Sequence, residues 1–279
     1  MPLKRTASLL VLSIVVTIPL IFGARHPIVE GFYTFVILIG CGGWLLLVTP
    51  SIKLPKTSFW ILVPLLLIIY LWLQSLPLPL AIIELISPHR ADRIAMVNEH
   101  AGTNLTWVSL SDNGFIGIYR SFLLIALLLY FFTVVRLCRE DSKFLRVLVL
   151  CMVAVGTFEA LYGVLQFLKP QLGILWLELS AGRAAYGTII YKNQYASLLN
   201  QIWPLAITGG ALYLVAPSSR SQKGSTKFMT TRVQAPLLLF GGGVMILAVL
   251  FSLSRGGILS MVLTAILLAL MLPFSTRGK

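Results

Sequence analysis

The 279-residue chain is 58% hydrophobic and only 11% charged, and its formal net charge is +13. Soluble domains average about 45–50% apolar and about 25% charged residues, so this composition excludes an ordinary soluble domain. The apolar residues are grouped in blocks of about 20, the length that crosses a bilayer as a helix. The composition therefore predicts an all-α fold, a polytopic transmembrane helical bundle that forms a single membrane domain over residues 1–279.

The hydrophobic blocks predict about eight spans. The first follows the basic stretch MPLKRTA, but no small-residue cleavage site follows it, so we interpret it as an uncleaved membrane helix rather than a signal peptide. In chain order the spans cover about residues 7–23, 31–49, 59–76, 117–136, 146–168, 194–216, 235–253 and 256–273.

The basic residues predict the orientation. A cytoplasmic N-terminus places 14 of the 22 Lys and Arg residues inside and the other 8 outside, as the positive-inside rule requires. Residues 77–116 and 169–193 then form the two large outer loops, and AIIELI in the first is a candidate interfacial helix. The inner charges are spread over short loops, so we expect contact with membrane lipids and no nucleic-acid partner.

The cysteines and histidines predict no metal site, cofactor or disulfide framework. No CxxC pair is present, and no two histidines have the spacing of metal ligands. We expect the cysteines to be buried free thiols. The cysteines are Cys41, Cys138 and Cys151, and the histidines are His26, His89 and His100.

Polar residues at the outer end of the sixth span form a candidate binding site. The stretch YGTIIYKNQYASLLN places Lys192, Asn193 and Gln194 in a row at the head of an apolar run. Arg183 lies in the loop before them. Converging cations at one membrane surface suit an anion, and a guanidinium fork suits phosphate best. The alternative for Lys192 and Arg183 is that they are simple interfacial anchors.

Arg255 is the most informative of these cations. It lies in a predicted tight turn, Ser254 to Gly257, between spans seven and eight. An arginine beside hydrocarbon is costly unless it is paired or hydrated, which favours a functional role.

The fifth span carries three polar residues on one face. Glu159, Tyr162 and Gln166 are spaced i, i+3 and i+7. An intramembrane glutamate indicates either a functional site or the pairing of two helices, and we interpret this one as helix pairing. The run FGGGVM, residues 240–245, predicts close helix packing.

Four motifs in order resemble the O-antigen ligase and polymerase family of bacterial inner-membrane glycan enzymes. LPLPLAIIELISP is similar to the start of the family's first large periplasmic loop, and EALYGVLQFL to its fifth span. RAAYGTIIYKNQYASLLNQIWPLA is similar to the segment Gly-Thr-x-x-x-basic-Asn-x-x-Ala. FSLSRGGILSMVL is similar to the Ser-Arg-Gly turn. Together the motifs cover about residues 75–275.

The resemblance implies an activity. Family members act at the periplasmic face on glycans carried by undecaprenyl diphosphate. They transfer the glycan to a hydroxyl of a glycan, of the lipid A core or of a protein. The chemistry is metal-independent and inverting, needs no cofactor, and serves O-antigen and lipopolysaccharide biosynthesis. Arg183, Lys192, Asn193, Gln194 and Arg255 would then line the donor site.

The chain departs from the family at two points. Gln194 stands where many relatives carry a histidine. The family's histidine in a later periplasmic loop has no counterpart here, so the catalytic residue stays unknown. For the same reason we expect this chain to be the N-terminal part of a ligase-like domain. The alternatives are a transporter or lipid flippase, for which Glu159 would be the ionisable site, and a truncated non-catalytic membrane protein.

Overall fold

The computed structural model describes residues 2–24, 26–48, 59–175, 183–215 and 226–276. The described residues are 84% helical, which confirms the predicted all-α class. The helices are α1 (Pro2–Leu20), α2 (Pro27–Val48), α3 (Phe59–Ser75), α4 (Leu80–Ile86), α5 (Pro88–Ala101), α6 (Gly114–Glu140), α7 (Ser142–Leu168), α8 (Lys192–Val215), α9 (Thr226–Phe251) and α10 (Arg255–Thr276).

Within the described part of the chain, five helices are long and apolar enough to cross a membrane by length and composition. They are α1, α2, α6, α7 and α9, and the described parts of α3 and α10 form two shorter apolar helices. The sixth predicted span coincides with α8, a 24-residue helix with a polar head. These eight helices overlap the eight predicted spans, and their ends differ by at most about five residues except that α9 begins nine residues before the span predicted at 235–253. The number of membrane crossings and their orientation stay predictions.

The chain divides into two compact units. Unit 1 comprises Met1–Leu3 and Glu30–Arg136, and unit 2 comprises Lys4–Val29 and Leu137–Lys279. The single membrane domain over residues 1–279 stays a prediction.

In unit 1, residues 77–113 between α3 and α6 fold into a small subdomain, here called the cap. Strand β1 (Pro77–Pro79) pairs antiparallel with β2 (Trp107–Ser109). Helices α4 and α5 pack beside these strands around Ile83, Ala91 and Ile94. The sequence predicted a loop with a helix at AIIELI. That helix is present as α4, whereas the sheet and α5 were not predicted.

In unit 2, α9 packs against both α7 and α8. The glycine run of α9 permits this close approach, since a side chain at Gly241 would meet Thr157 of α7 and one at Gly242 would meet Ile207 of α8. This confirms the predicted packing role of the run. The core between these helices is apolar and includes Leu199, Ile202, Trp203, Met245, Ala248 and Val249.

Candidate functional site

Unit 2 contains a polar pocket where α8 and α10 begin. Its volume is about 310 Å³, and glycines and neutral polar side chains form its wall. A polar cavity between apolar helices is unusual, because helices of this composition pack through apolar side chains and small residues. The lining residues are Asn193, Ser197, Asn200, Ser254, Gly256, Gly257 and Ser260.

Helix α8 forms one wall of the pocket through a single polar stripe. Asn193, Ser197 and Asn200 are spaced i, i+4 and i+7 and therefore share a face. The Asn200 amide donates to the carbonyl of Gly257 at 2.8 Å and accepts from the Trp203 indole at 3.1 Å. These bonds fix the amide's orientation and tie α8 to the first turn of α10.

Ser254 forms the opposite wall and caps α10. Its hydroxyl accepts a hydrogen bond from the backbone N–H of Gly257 at 3.1 Å, as an N-cap serine does. The same hydroxyl donates to Asn193 Oδ1 at 2.9 Å. The N-cap of α10 and the first turn of α8 are thus joined by one serine.

The turn before α10 lies earlier than predicted. Helix α9 ends at Phe251, the chain turns over Ser252 to Ser254, and Leu253 has a φ of 51°. Arg255 is therefore the first residue of α10, and the turn starts two residues and ends three residues before the predicted turn at residues 254–257. The N-cap serine determines where the helix starts, because it satisfies a backbone N–H that no helical carbonyl can reach.

Both helices begin at the pocket with a basic residue. Lys192 is the first residue of α8, Arg255 is the first of α10, and neither helix has an acidic residue in its first turn. The N-terminus of a helix carries about half a positive charge, so a cation there is unfavourable and an anion is favoured. Among the described residues, no carboxylate forms an ion pair with Lys192 or Arg255. The positive charge at the pocket is therefore not neutralised by the described part of the chain.

The structure brings together only some of the predicted site residues. Asn193 lines the pocket, and Arg255 lies between two lining residues. Lys192 and Gln194 flank Asn193 on α8 without lining the pocket, and Gln194 is exposed. Arg183 is also exposed and does not line it; its segment is anchored nearby, where the Ala185 N–H donates to the Phe251 carbonyl at 2.9 Å.

Four polar side chains that line the pocket, and the two glycines Gly256 and Gly257, were not predicted as site residues from the sequence. Ser197 and Asn200 could have been found from their spacing to Asn193, because a polar stripe in an apolar helix is a usable signal. Ser254 and Ser260 carry no such signal, since their position depends on how α10 packs against α8.

The polar face of α7 is confirmed, but its role differs from the interpretation as helix pairing. Gln166 and Tyr162 bind the segment that precedes α8. The Gln166 amide donates to the carbonyls of Gly173 and Gly187 at 2.7 and 2.8 Å and accepts from the Tyr186 N–H at 3.1 Å. The Tyr162 hydroxyl accepts from the Leu175 N–H at 3.0 Å. These side chains stabilise a connecting segment by satisfying its backbone groups.

Glu159 is enclosed within the same network. It is fully buried, and its carboxyl oxygens contact the backbone N–H and the hydroxyl of Thr188 at 2.7 and 2.5 Å. The Thr188 hydroxyl also lies 2.7 Å from the carbonyl of Pro19 in α1. Glu159 thus joins α7 to the segment before α8, and Thr188 joins that segment to the end of α1. Glu159 does not line the pocket.

The described residues contain no group of three His, Cys, Asp or Glu side chains placed to hold a metal ion. The described residues at the pocket offer hydrogen bonding by amides and hydroxyls together with the charges of Lys192 and Arg255.

No protein-family model matches the chain, and neither a curated protein nor a solved structure matches it. The resemblance to the O-antigen ligase and polymerase family therefore rests on the sequence motifs alone.

Proposed function

We propose that this membrane protein binds a glycan carried on undecaprenyl diphosphate and belongs to the machinery that transfers it to an acceptor hydroxyl. In this proposal the protein lies in the bacterial inner membrane with eight spans and a cytoplasmic N-terminus. The site faces the periplasm, and the acceptor is another glycan, a lipid A core or a protein. The motif resemblance supports the reaction class, and the pocket supports the kind of ligand.

The observation that carries the proposal is the start of α8 and α10 at one pocket, each with a basic first residue. Two helix N-termini, Lys192 and Arg255 all favour negative charge at this place. A diphosphate carries the charge density that such a site attracts. A guanidinium at Arg255 would bind it with two parallel hydrogen bonds and stabilise the charge that develops as the diphosphate leaves.

The wall of the pocket suits the other half of such a donor. Asn193, Ser197 and Ser260 offer hydrogen-bond donors and acceptors without charge. Sugar hydroxyls need this mixture, because each can both donate and accept. We therefore assign the diphosphate to the place beside Lys192 and Arg255, and the adjoining sugar to the polar wall formed by Asn193, Ser197 and Ser260.

Among the described residues, the lining of this pocket contains no acid–base catalyst. Its side chains are amides and hydroxyls, which do not take up a proton near neutral pH. Transfer to a hydroxyl needs a base that removes the acceptor's proton. We therefore propose donor binding for this pocket and assign no catalytic residue.

The transporter or flippase alternative receives less support. It relies on Glu159 as an ionisable site in a transport path, and transport requires that site to open to each side in turn. Glu159 is fully buried, and both of its carboxyl oxygens contact Thr188. That arrangement suits a structural residue.

The test is direct binding of undecaprenyl diphosphate to the purified full chain in lipid nanodiscs. The native protein should bind it, and Arg255→Ala should weaken binding about 10- to 100-fold, the loss expected for hydrogen bonds to a charged group. Arg146→Ala is the matched control. Arg146 is an exposed arginine in the first turns of α7, at the opposite end of that helix from Gln166, which binds the segment before α8.

Two results would contradict donor binding: unchanged affinity in Arg255→Ala, or an equal loss in Arg146→Ala. In cells, Arg255→Ala should abolish glycan transfer while the protein still reaches the membrane. Normal surface glycan in that variant would reject the transfer function even if the purified protein binds the diphosphate.

A further inference from the structure

The short helix α4 of the cap exposes an apolar face. Leu85 is 85% exposed, Ile86 57% and Ile82 41%, and Ala81 beside them is also exposed. At 3.6 residues per turn these four positions form one continuous arc of about 140°. The only charged residue of α4, Glu84, lies outside this arc.

The cap does not need this face for its own folding. The core side chain of α4 is Ile83, which is fully buried against Ala91 and Ile94 of α5. The exposed side chains lie on the other side of the helix. Burying a side chain such as Leu or Ile is worth about 1.5–3 kcal/mol, so an uncovered face of this kind indicates a missing apolar environment.

The cap is held at the end of membrane-type helices on both sides. Helix α3 ends at Ser75, and α4 starts five residues later, within about 17 Å of chain. The Ser111 N–H at the end of the cap donates to the Gln74 carbonyl of α3 at 3.0 Å. Three residues further on, Gly114 begins α6, which is long and apolar enough to cross a membrane. The cap therefore starts and finishes at the end of α3.

The aromatic residues near this junction are typical of a membrane surface. Trp107 of β2 is 63% exposed and pairs with Pro79, the residue before α4. In α3, Trp72 is 44% exposed and Tyr70 54%. Tryptophan and tyrosine prefer the headgroup level, because the ring is apolar and its polar group stays hydrated.

We infer that α4 lies in the lipid interface of the bilayer, with Ile82, Leu85 and Ile86 buried among the lipid chains. Helix α3, which ends at the start of the cap, likewise exposes apolar side chains such as Leu73, and lipid is an environment that can cover both helices. Helix α4 has no basic residue. Its insertion is therefore driven by apolar area and needs no anionic headgroup.

The opposite side of the cap is suited to water. On α5, Arg90 and Arg93 both form ion pairs with Asp112, and the contact between Arg93 and Asp112 is 3.1 Å. Asp92 on the same helix is exposed. An ion-pair cluster of this kind is stable when hydrated, so we place α5 on the aqueous side of α4.

The test is the accessibility of spin labels in the full chain, reconstituted in phosphatidylcholine vesicles. Labels are attached at Leu85→Cys, Glu84→Cys and Asp92→Cys in a background in which the three native cysteines are alanine. At Leu85 the collision rate with oxygen, which concentrates in lipid, should exceed that with a water-soluble nickel chelate. At Asp92 the collision rate with the nickel chelate should exceed that with oxygen. At Glu84 the ratio of the two rates should lie between the ratios at Leu85 and Asp92. Adding phosphatidylglycerol should leave this pattern unchanged.

All three labelled side chains are exposed, so none of the substitutions removes a core contact. Equal access of the nickel reagent at Leu85 and Asp92 would overturn the inference by placing α4 in water. A Leu85 label that is immobile and inaccessible to both reagents would also overturn it, because a second copy or another protein would then cover the face.

Discussion

Glu159 contacts Thr188 through both of its carboxyl oxygens, although 29 residues separate the two along the chain. One oxygen accepts from the Thr188 N–H at 2.7 Å, and the other lies 2.5 Å from the Thr188 hydroxyl. That hydroxyl is also 2.7 Å from the Pro19 carbonyl, yet it carries a single hydrogen. A second hydrogen on the side chain at position 159 would complete both contacts.

This hydrogen count predicts that Glu159→Gln is tolerated. The amide can donate to the Thr188 hydroxyl, which then donates to Pro19, and the amide oxygen still accepts from the Thr188 N–H. Glu159→Leu has similar size but leaves the Thr188 N–H without a partner, at about 1–3 kcal/mol. Thermal unfolding in detergent should show a clearly lower midpoint for Leu than for Gln. Equal midpoints would mean that these hydrogen bonds do not stabilise the fold.

A second prediction concerns Gly163, where α7 contacts Tyr195 of α8. A Cβ at Gly163 would collide with the Tyr195 hydroxyl and ring, so Gly163→Ala should destabilise the protein by about 1–3 kcal/mol. Tyr195→Phe removes the atom nearest to that Cβ. In the double variant the loss should therefore be smaller than the sum of the two single losses.

Gly243 provides the matched control for this experiment, because a Cβ there meets nothing within 4 Å. Gly243→Ala should leave stability unchanged or raise it by up to about 1 kcal/mol, the gain in helix propensity. A loss at Gly243 equal to that at Gly163 would show that the destabilisation does not arise from the Tyr195 contact.

A third prediction concerns the cap of α10. Ser254→Ala removes both the bond from the Gly257 N–H and the bond to Asn193, so it should cost about 1–2 kcal/mol. Ser254→Asp should keep the first bond, but a carboxylate cannot donate to Asn193 Oδ1, so the second bond forms only if the Asn193 amide turns its NH2 group toward the carboxylate. Unfolding midpoints should place Asp between serine and alanine. An alanine variant as stable as the native protein would argue against the capping role.

A fourth prediction tests the orientation, which rests on the distribution of basic residues. A cysteine at Ser221, in the basic segment outside the described residues, should resist a membrane-impermeant maleimide in intact cells and react after permeabilisation. A cysteine at His100, exposed in the cap, should react before permeabilisation. Both measurements use a background without the three native cysteines. Labelling of Ser221→Cys in intact cells would refute the cytoplasmic N-terminus.

Helices are the part of this fold that composition and periodicity predict best. Apolar blocks of bilayer length can form only a few structures, so the predicted positions of spans such as 31–49 and 146–168 agree closely with α2 and α7. The i, i+3, i+7 spacing likewise placed Glu159, Tyr162 and Gln166 on one face, because helical geometry is local.

Only the tertiary structure decides what those faces contact. Glu159 bonds to Thr188, which lies 29 residues away along the chain, and Asn193 bonds to Ser254, which lies 61 residues away. No local pattern in the sequence indicates either pair. The pocket exists because α8 and α10 start side by side with small polar residues between them, an arrangement set by helix packing. The sequence could identify Asn193 and Arg255 as candidates, but the pocket that Asn193 lines together with Asn200 and Ser260, beside Arg255, depends on contacts between distant segments.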